Sequence, residues 1–321
     1  MLQPQLANPF VIASCHFTGR KRELLGLQKL LNKRPKIENF NPYPGAIIIK
    51  SISEKGGDGK TGKRKIWEDP DYKFIRYTDG DKTRELLLPN VAIDLFQFAK
   101  IRFPSTVKIG LSVLLGENST LKNIKIASDA DADFIELNTK YLSRGYHDLD
   151  YLAKDKADKS FNDFYSTIQN ILNNCDKPIW IKFARDIIWL RTKDIIDLSY
   201  LIQRNDISFV IANTKQFFIS KHSEKCNDQK RKSQYKIPNG KAVIWGKCLY
   251  PTTYDIIKQL SHKINQNVSL IANGGITTLN QTKAILDAGV AAIEYCAFLH
   301  DGIDGFSIWK AELSSIYKNI S

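Results

Sequence analysis

Residues 268–299 read VSLIANGGITTLNQTKAILDAGVAAIEYCAFL, and their reading decides the fold. A short apolar run containing Val268, Leu270 and Ile271 ends at the pair Gly274-Gly275. Ile276, Leu279, Ala284, Ile285 and Leu286 then supply the apolar positions of an amphipathic segment. Gly289 closes that segment, and a second apolar run, 291–299, follows at once. The pattern is strand, helix, strand, with a glycine pair at the first strand's exit. Lacking Cβ atoms, Gly274 and Gly275 let backbone N–H groups come close to a ligand, and a helix N-terminus beside them favours an anion, phosphate above all. A tight turn with no ligand is the plainer alternative, since a lone glycine pair is a weak signal.

The same alternation runs back to the start of the chain. Apolar runs at 7–14, 46–49, 108–115, 134–137, 178–181 and 207–212 read as strands. Helical segments are expected at 19–36, where Leu24, Leu25, Leu27, Leu30 and Leu31 recur and Pro35 stops the run, and at 118–129, 161–172, 195–203, 253–262 and 306–317. Eight strands alternating mostly with helices have the rhythm of a (β/α)8 barrel, an α/β TIM barrel formed as a single domain over 1–321. Long loops at 51–90 and 215–241 fall on its C-terminal face. An open doubly wound sheet is the main competitor, but the glycine-rich fingerprint expected after its first strand is absent.

Two loop stretches invite a phosphate reading. Gly59-Lys60-Thr61 resembles the end of a P-loop, but Glu54 stands where that motif needs a glycine, and no helical run follows. Residues 51–65 read instead as a flexible, basic loop over a site. The stretch 215–241, with Lys230-Arg231-Lys232 at its middle, reads as a lid or a partly disordered segment.

Composition narrows the function classes. The chain has 321 residues, 43% of them hydrophobic, enough for a large core. No apolar run approaches the ~20 residues that span a bilayer, and the start carries no basic-then-apolar leader, so a cytoplasmic setting without membrane contact is expected. The five cysteines are scattered, with no CxxC pair, which argues against a disulfide framework and a zinc site. The five histidines are dispersed and form no HxxxH pattern, so no metal is expected. A net charge of +13 suits a polyanion, but no RNA-recognition signature accompanies it, and the balance is against nucleic acid.

Several strands hand a polar residue to the same edge: Ser14, Lys50, Asn138, Lys182, Asn213 and Gly274. In a barrel these tips converge on one mouth. Two lysines and two asparagines make it rich in donors, as suits an anionic cofactor with a polar ring. A lysine near the N1–O2 edge of a flavin would stabilise the negative charge that reduction places there.

With these residues in place, the chain resembles the FMN-dependent dihydroorotate dehydrogenase family over nearly its whole length. NPFVIAS at 8–14, IIIKS at 47–51, LPN at 88–90, DFIELN at 133–138, KPIWIK at 177–182, ANT at 212–214, the run from Gly246 to Pro251, and IANGGI at 271–276 are each similar to a family segment, in the family's order. The resemblance implies oxidation of dihydroorotate to orotate in pyrimidine biosynthesis. FMN would lie across the mouth, with a soluble electron acceptor and, as in many soluble members, a homodimer. By the same resemblance the FMN phosphate would be held near Gly246, Gly274, Gly275, Cys296 and Ala297. Lys182 would face the ring, Ser14 and Ser51 would line the site, and Lys50, Asn138 and Asn213 would touch cofactor and substrate. Asn90 and Thr214 would complete the substrate pocket.

Three departures from the family pattern bear on chemistry. The family's base, a Cys or Ser three residues after the ELN asparagine, is here Tyr141. An ordinary tyrosine, with a pKa near ~10, is a poor base at neutral pH but a fair proton donor. Ser143 becomes the base only if the loop is shifted. The asparagine that opens the substrate loop falls on Arg84, which is well suited to a carboxylate. Cys296-Ala297 replaces the small pair at the eighth strand's exit, and Trp245 replaces a glycine. Four readings therefore stand: a dihydroorotate oxidoreductase with a relocated base; an FMN reductase of another small substrate with Tyr141 as donor; a barrel that has lost catalysis; and, further off, an enzyme resembling tRNA-dihydrouridine synthases, whose cysteine is missing from the loop after Asn138.

Overall fold

The structure, a computed structural model, describes residues 2–15, 18–32, 43–57, 64–68, 73–77, 86–139, 154–183, 192–211, 215–219, 240–245 and 249–295. Eight parallel strands close a barrel: β1 (Phe10–Ile12), β2 (Ala46–Gly57), β5 (Lys108–Leu114), β6 (Phe134–Asn138), β7 (Ile179–Lys182), β8 (Ile207–Ile211), β11 (Ser269–Asn273) and β12 (Ala292–Tyr295). The ring closes where β1 pairs with both β2 and β12. Helices α1 (Lys21–Asn32), α2 (Pro89–Arg102), α3 (Thr120–Asp129), α4 (Lys154–Asn173), α5 (Thr192–Leu201), α6 (Tyr250–Ser261) and α7 (Leu279–Asp287) stand between the strands. The (β/α)8 barrel expected from the apolar runs is the architecture observed, and each of the eight runs is one of its strands. Among the described residues no helix is long and apolar enough to cross a membrane.

Two cores hold it together. Outward-facing strand residues such as Ile47, Ile49, Leu111, Ile135, Leu137, Ile181 and Phe209 pack against Leu24, Leu27, Leu31, Phe96, Ile124, Leu198 and Ile257 of the helices. The inward faces form a separate cluster of Val11, Ala46, Ile48, Phe134, Trp180, Val210, Ile271 and Ala292. Phe134 and Trp180 stack there with ring centroids 3.9 Å apart. A Cβ on Gly110 would lie 2.4 Å from the Phe134 ring, so glycine at that position makes room for the stack. Leu2 and Leu6 pack against this cluster, and Trp180 Nε1 donates to the Gln3 carbonyl at 2.8 Å. The N-terminal segment thus covers the floor of the barrel.

Three elements differ from the sequence expectation. Residues 51–57 continue β2 as strand, so the loop expected over 51–90 begins later. Helix α2 carries no clear periodic signal: Val91, Ala92, Ile93, Leu95, Phe96, Phe98, Ala99 and Ile101 leave no clean polar face, and the helical period is blurred. The stretch expected to be a long lid at 215–241 starts and ends as strand: β9 (Lys215–Ile219) pairs with β10 (Gly240–Trp245). Phe217, Phe218 and Ile219 are strand formers that its overall polarity concealed. These two strands join β3 (Arg64–Glu68) and β4 (Lys73–Tyr77) in an antiparallel sheet of order β3-β4-β10-β9, built from the excursions that follow β2 and β8. Gly59-Lys60-Thr61, Lys230-Arg231-Lys232 and the segment 306–317 lie outside the described residues.

Candidate active site

A bulge in β2 organises the mouth. Ile49 pairs with Leu111 and Ile52 with Val113, so two residues, Lys50 and Ser51, stand opposite the single Ser112 of β5. Such a bulge re-aims side chains at a barrel rim. Ser51 becomes a hub: its Oγ lies 2.8 Å from Ser112 Oγ and 3.5 Å from Ser14 Oγ, and it accepts from Asn138 Nδ2 at 3.2 Å. Three of the residues expected at the site, Ser14, Ser51 and Asn138, are therefore joined above the ends of β1 and β6 at the bulge of β2, where Lys50 is the neighbour of Ser51. Ser51 and Lys50 are buried, while Ser14 and Asn138 are partly open. Thr139 Oγ1 donates to the Lys182 carbonyl at 2.8 Å, which pins the start of the loop after β6 to the tip of β7.

Lys182 has a different environment from its neighbours. Its side chain is only 3% exposed, and Nζ lies 2.9 Å from Glu136 Oε2 and 2.5 Å from Glu294 Oε2. Asn273 Nδ2 donates to the same Glu294 oxygen at 2.9 Å. Strand alternation explains the meeting. Glu136 follows Phe134 by two residues, Lys182 follows Trp180, Asn273 follows Ile271 and Glu294 follows Ala292, so all four face inward one step above the apolar cluster. Burial alone would lower the Lys182 pKa, but the two carboxylates more than offset this and hold it above the usual lysine value. Burial drives the Glu294 carboxyl the other way from an ordinary carboxylate. It is pushed up to about 8, with the Glu136 charge adding to the rise and Lys182 opposing it. The two glutamates were not singled out in the sequence. The available signal was an acidic residue inside each of two short apolar strands, FIELN and AIEY, with a lysine ending a third.

Both residues of the glycine pair have positive φ, 107° at Gly274 and 79° at Gly275. A Cβ on Gly275 would lie 2.2 Å from the Tyr250 backbone nitrogen, so close approach to the start of α6 already demands glycine there. Thr253 Oγ1 fixes the turn by donating to the Gly274 carbonyl at 2.9 Å. The expected helix N-terminus is not immediately beside the pair. α7 begins at Leu279, and its first turn is closed by a capping box: Gln281 N–H donates to Thr278 Oγ1, while Gln281 Oε1 accepts from the N–H groups of Thr277 and Thr278. A box of this kind uses two of the donors that an anion would otherwise meet. An anion at this rim would therefore meet the backbone of the glycine turn before the helix end.

Asn90 is exposed in the first turn of α2 and takes no part in the hydrogen-bond set around Ser51. Arg84, Tyr141, Ser143, Asn213, Thr214, Gly246, Cys296 and Ala297 lie outside the described residues. A flavin asks for donors along its polar ring edge and an anion cradle for its phosphate. Lys50, Ser14, Ser51 and Asn138 fit the first demand, and the glycine turn fits the part of the second that Gly274 and Gly275 would meet. No protein-family model matches the chain, and no curated protein matches it.

Proposed function

We propose that this barrel is an FMN-dependent oxidoreductase acting on a CH–CH bond, of the dihydroorotate dehydrogenase type. The observation that carries the reading is the hydrogen-bonded group of Ser14, Ser51 and Asn138, with Lys50 beside Ser51 in the β2 bulge, at the mouth where barrel enzymes keep their chemistry. When bound, FMN would supply the hydride acceptor. Lys50 would set a positive charge beside the anionic ligand, and the hydroxyls of Ser14 and Ser51 with the Asn138 amide would orient the ring edge. Gly274 and Gly275, with Gly246, Cys296 and Ala297, would hold the phosphate. Arg84, Asn90, Asn213 and Thr214 would grip the substrate's polar groups. Tyr141 would deliver a proton in a reductive direction, and Ser143 would remove one in an oxidative direction.

An absorption spectrum of the purified protein, recorded before and after dihydroorotate is added without oxygen, tests the proposal. Flavin bands that bleach establish cofactor and substrate together. Bands that persist keep the cofactor and redirect the search to another small substrate. The absence of bands after incubation with FMN removes the flavin function and leaves a barrel without this chemistry. Ser51→Ala, which deletes the hub of the mouth, should weaken FMN binding roughly tenfold, the equivalent of one well-placed hydrogen bond.

A further inference from the structure

One layer beneath the mouth, the described residues of the barrel include two buried carboxyls gathered on one ammonium. Glu136 and Glu294 are essentially fully buried, and both converge on Lys182 Nζ through their Oε2 atoms. Each has its other oxygen, Oε1, buried with no hydrogen-bond partner among the described residues. Fully ionised, the cluster would carry an uncompensated negative charge out of contact with water, which is among the most costly arrangements a protein interior can hold. One added proton makes it neutral. Glu294 Oε2 already accepts from Lys182 and Asn273, so the proton belongs on the Oε1 side.

We propose that the cluster of Glu136, Lys182 and Glu294 holds one added proton at neutral pH, forming a proton store under the mouth, and that Glu294 is a positioning residue that sets the charge Lys182 presents there. The upward displacement of the Glu294 carboxyl accords with this. The groups facing Glu294 from the neighbouring strands are few. β11 contributes the uncharged Asn273, β1 sets Val11 opposite it, β6 and β7 contribute Glu136 and Lys182, and among the described residues Lys50 at the β2 bulge is the further charge near the rim. When the store releases its proton to solvent at alkaline pH, the cluster turns from neutral to negative. An anion at the mouth is then held less tightly. This last consequence rests on the flavin reading; the store itself does not.

Infrared spectroscopy of the protein without added flavin tests the store directly. The wild-type protein should show a carboxylic-acid C=O stretch that survives at neutral pH and disappears as pH rises through about 8. Glu294→Gln and Glu136→Gln should each abolish that band, because either leaves one carboxylate for one ammonium. No such band in the wild-type protein, or a band unchanged in both variants, overturns the proposal, and the wild-type result does not depend on either variant folding. A second measurement is FMN binding by fluorescence quenching. The wild-type affinity should fall about tenfold from neutral to alkaline pH, while Glu294→Gln, which mimics the protonated form, should bind independently of pH. An equal pH dependence in both proteins overturns the positioning role. Failure of FMN to bind at any pH sinks the flavin function alone, and the infrared band still judges the store.

Discussion

The lower and upper halves of the barrel interior rise from the same strands and differ by one two-residue step. Phe134 gives way to Glu136, Trp180 to Lys182, Ile271 to Asn273, Ala292 to Glu294, and Gly110 to Ser112. Below that step the interior is apolar and closed from beneath by Leu2 and Leu6. Above it every inward group just named carries a hydrogen-bonding atom. Parity along a strand fixes which residues face inward, so position along the strand alone separates packing from chemistry.

Mutations at matched positions test how far that division goes. Trp180→Ala should have the largest effect. It removes a fully buried ring stacked on Phe134, and it should cost about 3–5 kcal/mol of stability in denaturant unfolding while leaving the upper hydrogen bonds in the folded fraction intact. Loss of FMN binding from that folded fraction would show that the two halves are not separable.

Lys182→Met, one step up, should cost a comparable ~3–5 kcal/mol for a different reason: two buried carboxyls lose their only described cation. The signature is in the pH dependence. The deficit should shrink under acid, where both carboxyls can take up protons, whereas that of Trp180→Ala should not change with pH. In the wild-type protein the raised Lys182 value means that its stabilisation is complete below the ordinary lysine range and is lost as pH rises through the folded value.

The Glu294 carboxyl yields a smaller effect, of the same sign and in a lower pH window. Its folded value of about 8 lies above the 4.5 of an ordinary glutamate, so the folded state keeps a proton that the unfolded state has released. This contribution to stability is full below the lower value and is lost as pH rises through the higher one. Unfolding free energies measured across that window should fall by a few kcal/mol in the wild-type protein and by less in Glu294→Gln. Equal slopes would place the titrating group elsewhere.

Thr278→Ala should have the least effect. It opens the capping box of α7 and should cost about 1 kcal/mol. Because the rim turn is fixed separately by Thr253, FMN binding should be unchanged; a marked loss would make the α7 terminus part of the anion site after all.

The barrel was legible because its signals are local. Each strand is a short apolar run, and the ends of several carry a polar residue that chain order alone brings to the mouth. Lys50, Asn138 and Ser51 could be placed in this way. Their arrangement could not, because it depends on an extra residue in β2 relative to β5, and a bulge leaves no mark in composition. Glu136 and Glu294 were passed over for a related reason. An acidic residue in an apolar run signals a buried polar partner, but the partners lie 46 and 112 positions away from Lys182. Helix α2 was hidden by its apolar surface on nearly every side, and β9 by the polar stretch that follows it.

The pairing of β1 with β12 has a consequence for how the chain is made. Ala13 N–H donates to the Tyr295 carbonyl and Ile293 N–H to the Pro9 carbonyl, so one edge of the first barrel strand is completed only by the eighth. Until residue 295 has emerged, β1 and β11 each present an open edge, and the layer of buried charge lacks Glu294, one of its two acids. Contacts this distant in sequence form slowly and leave unpaired strand edges exposed in the interval. Before the barrel closes the chain is therefore open to aggregation through these edges, and a chaperone that shields strand edges should raise its yield more than one that only speeds local helix formation.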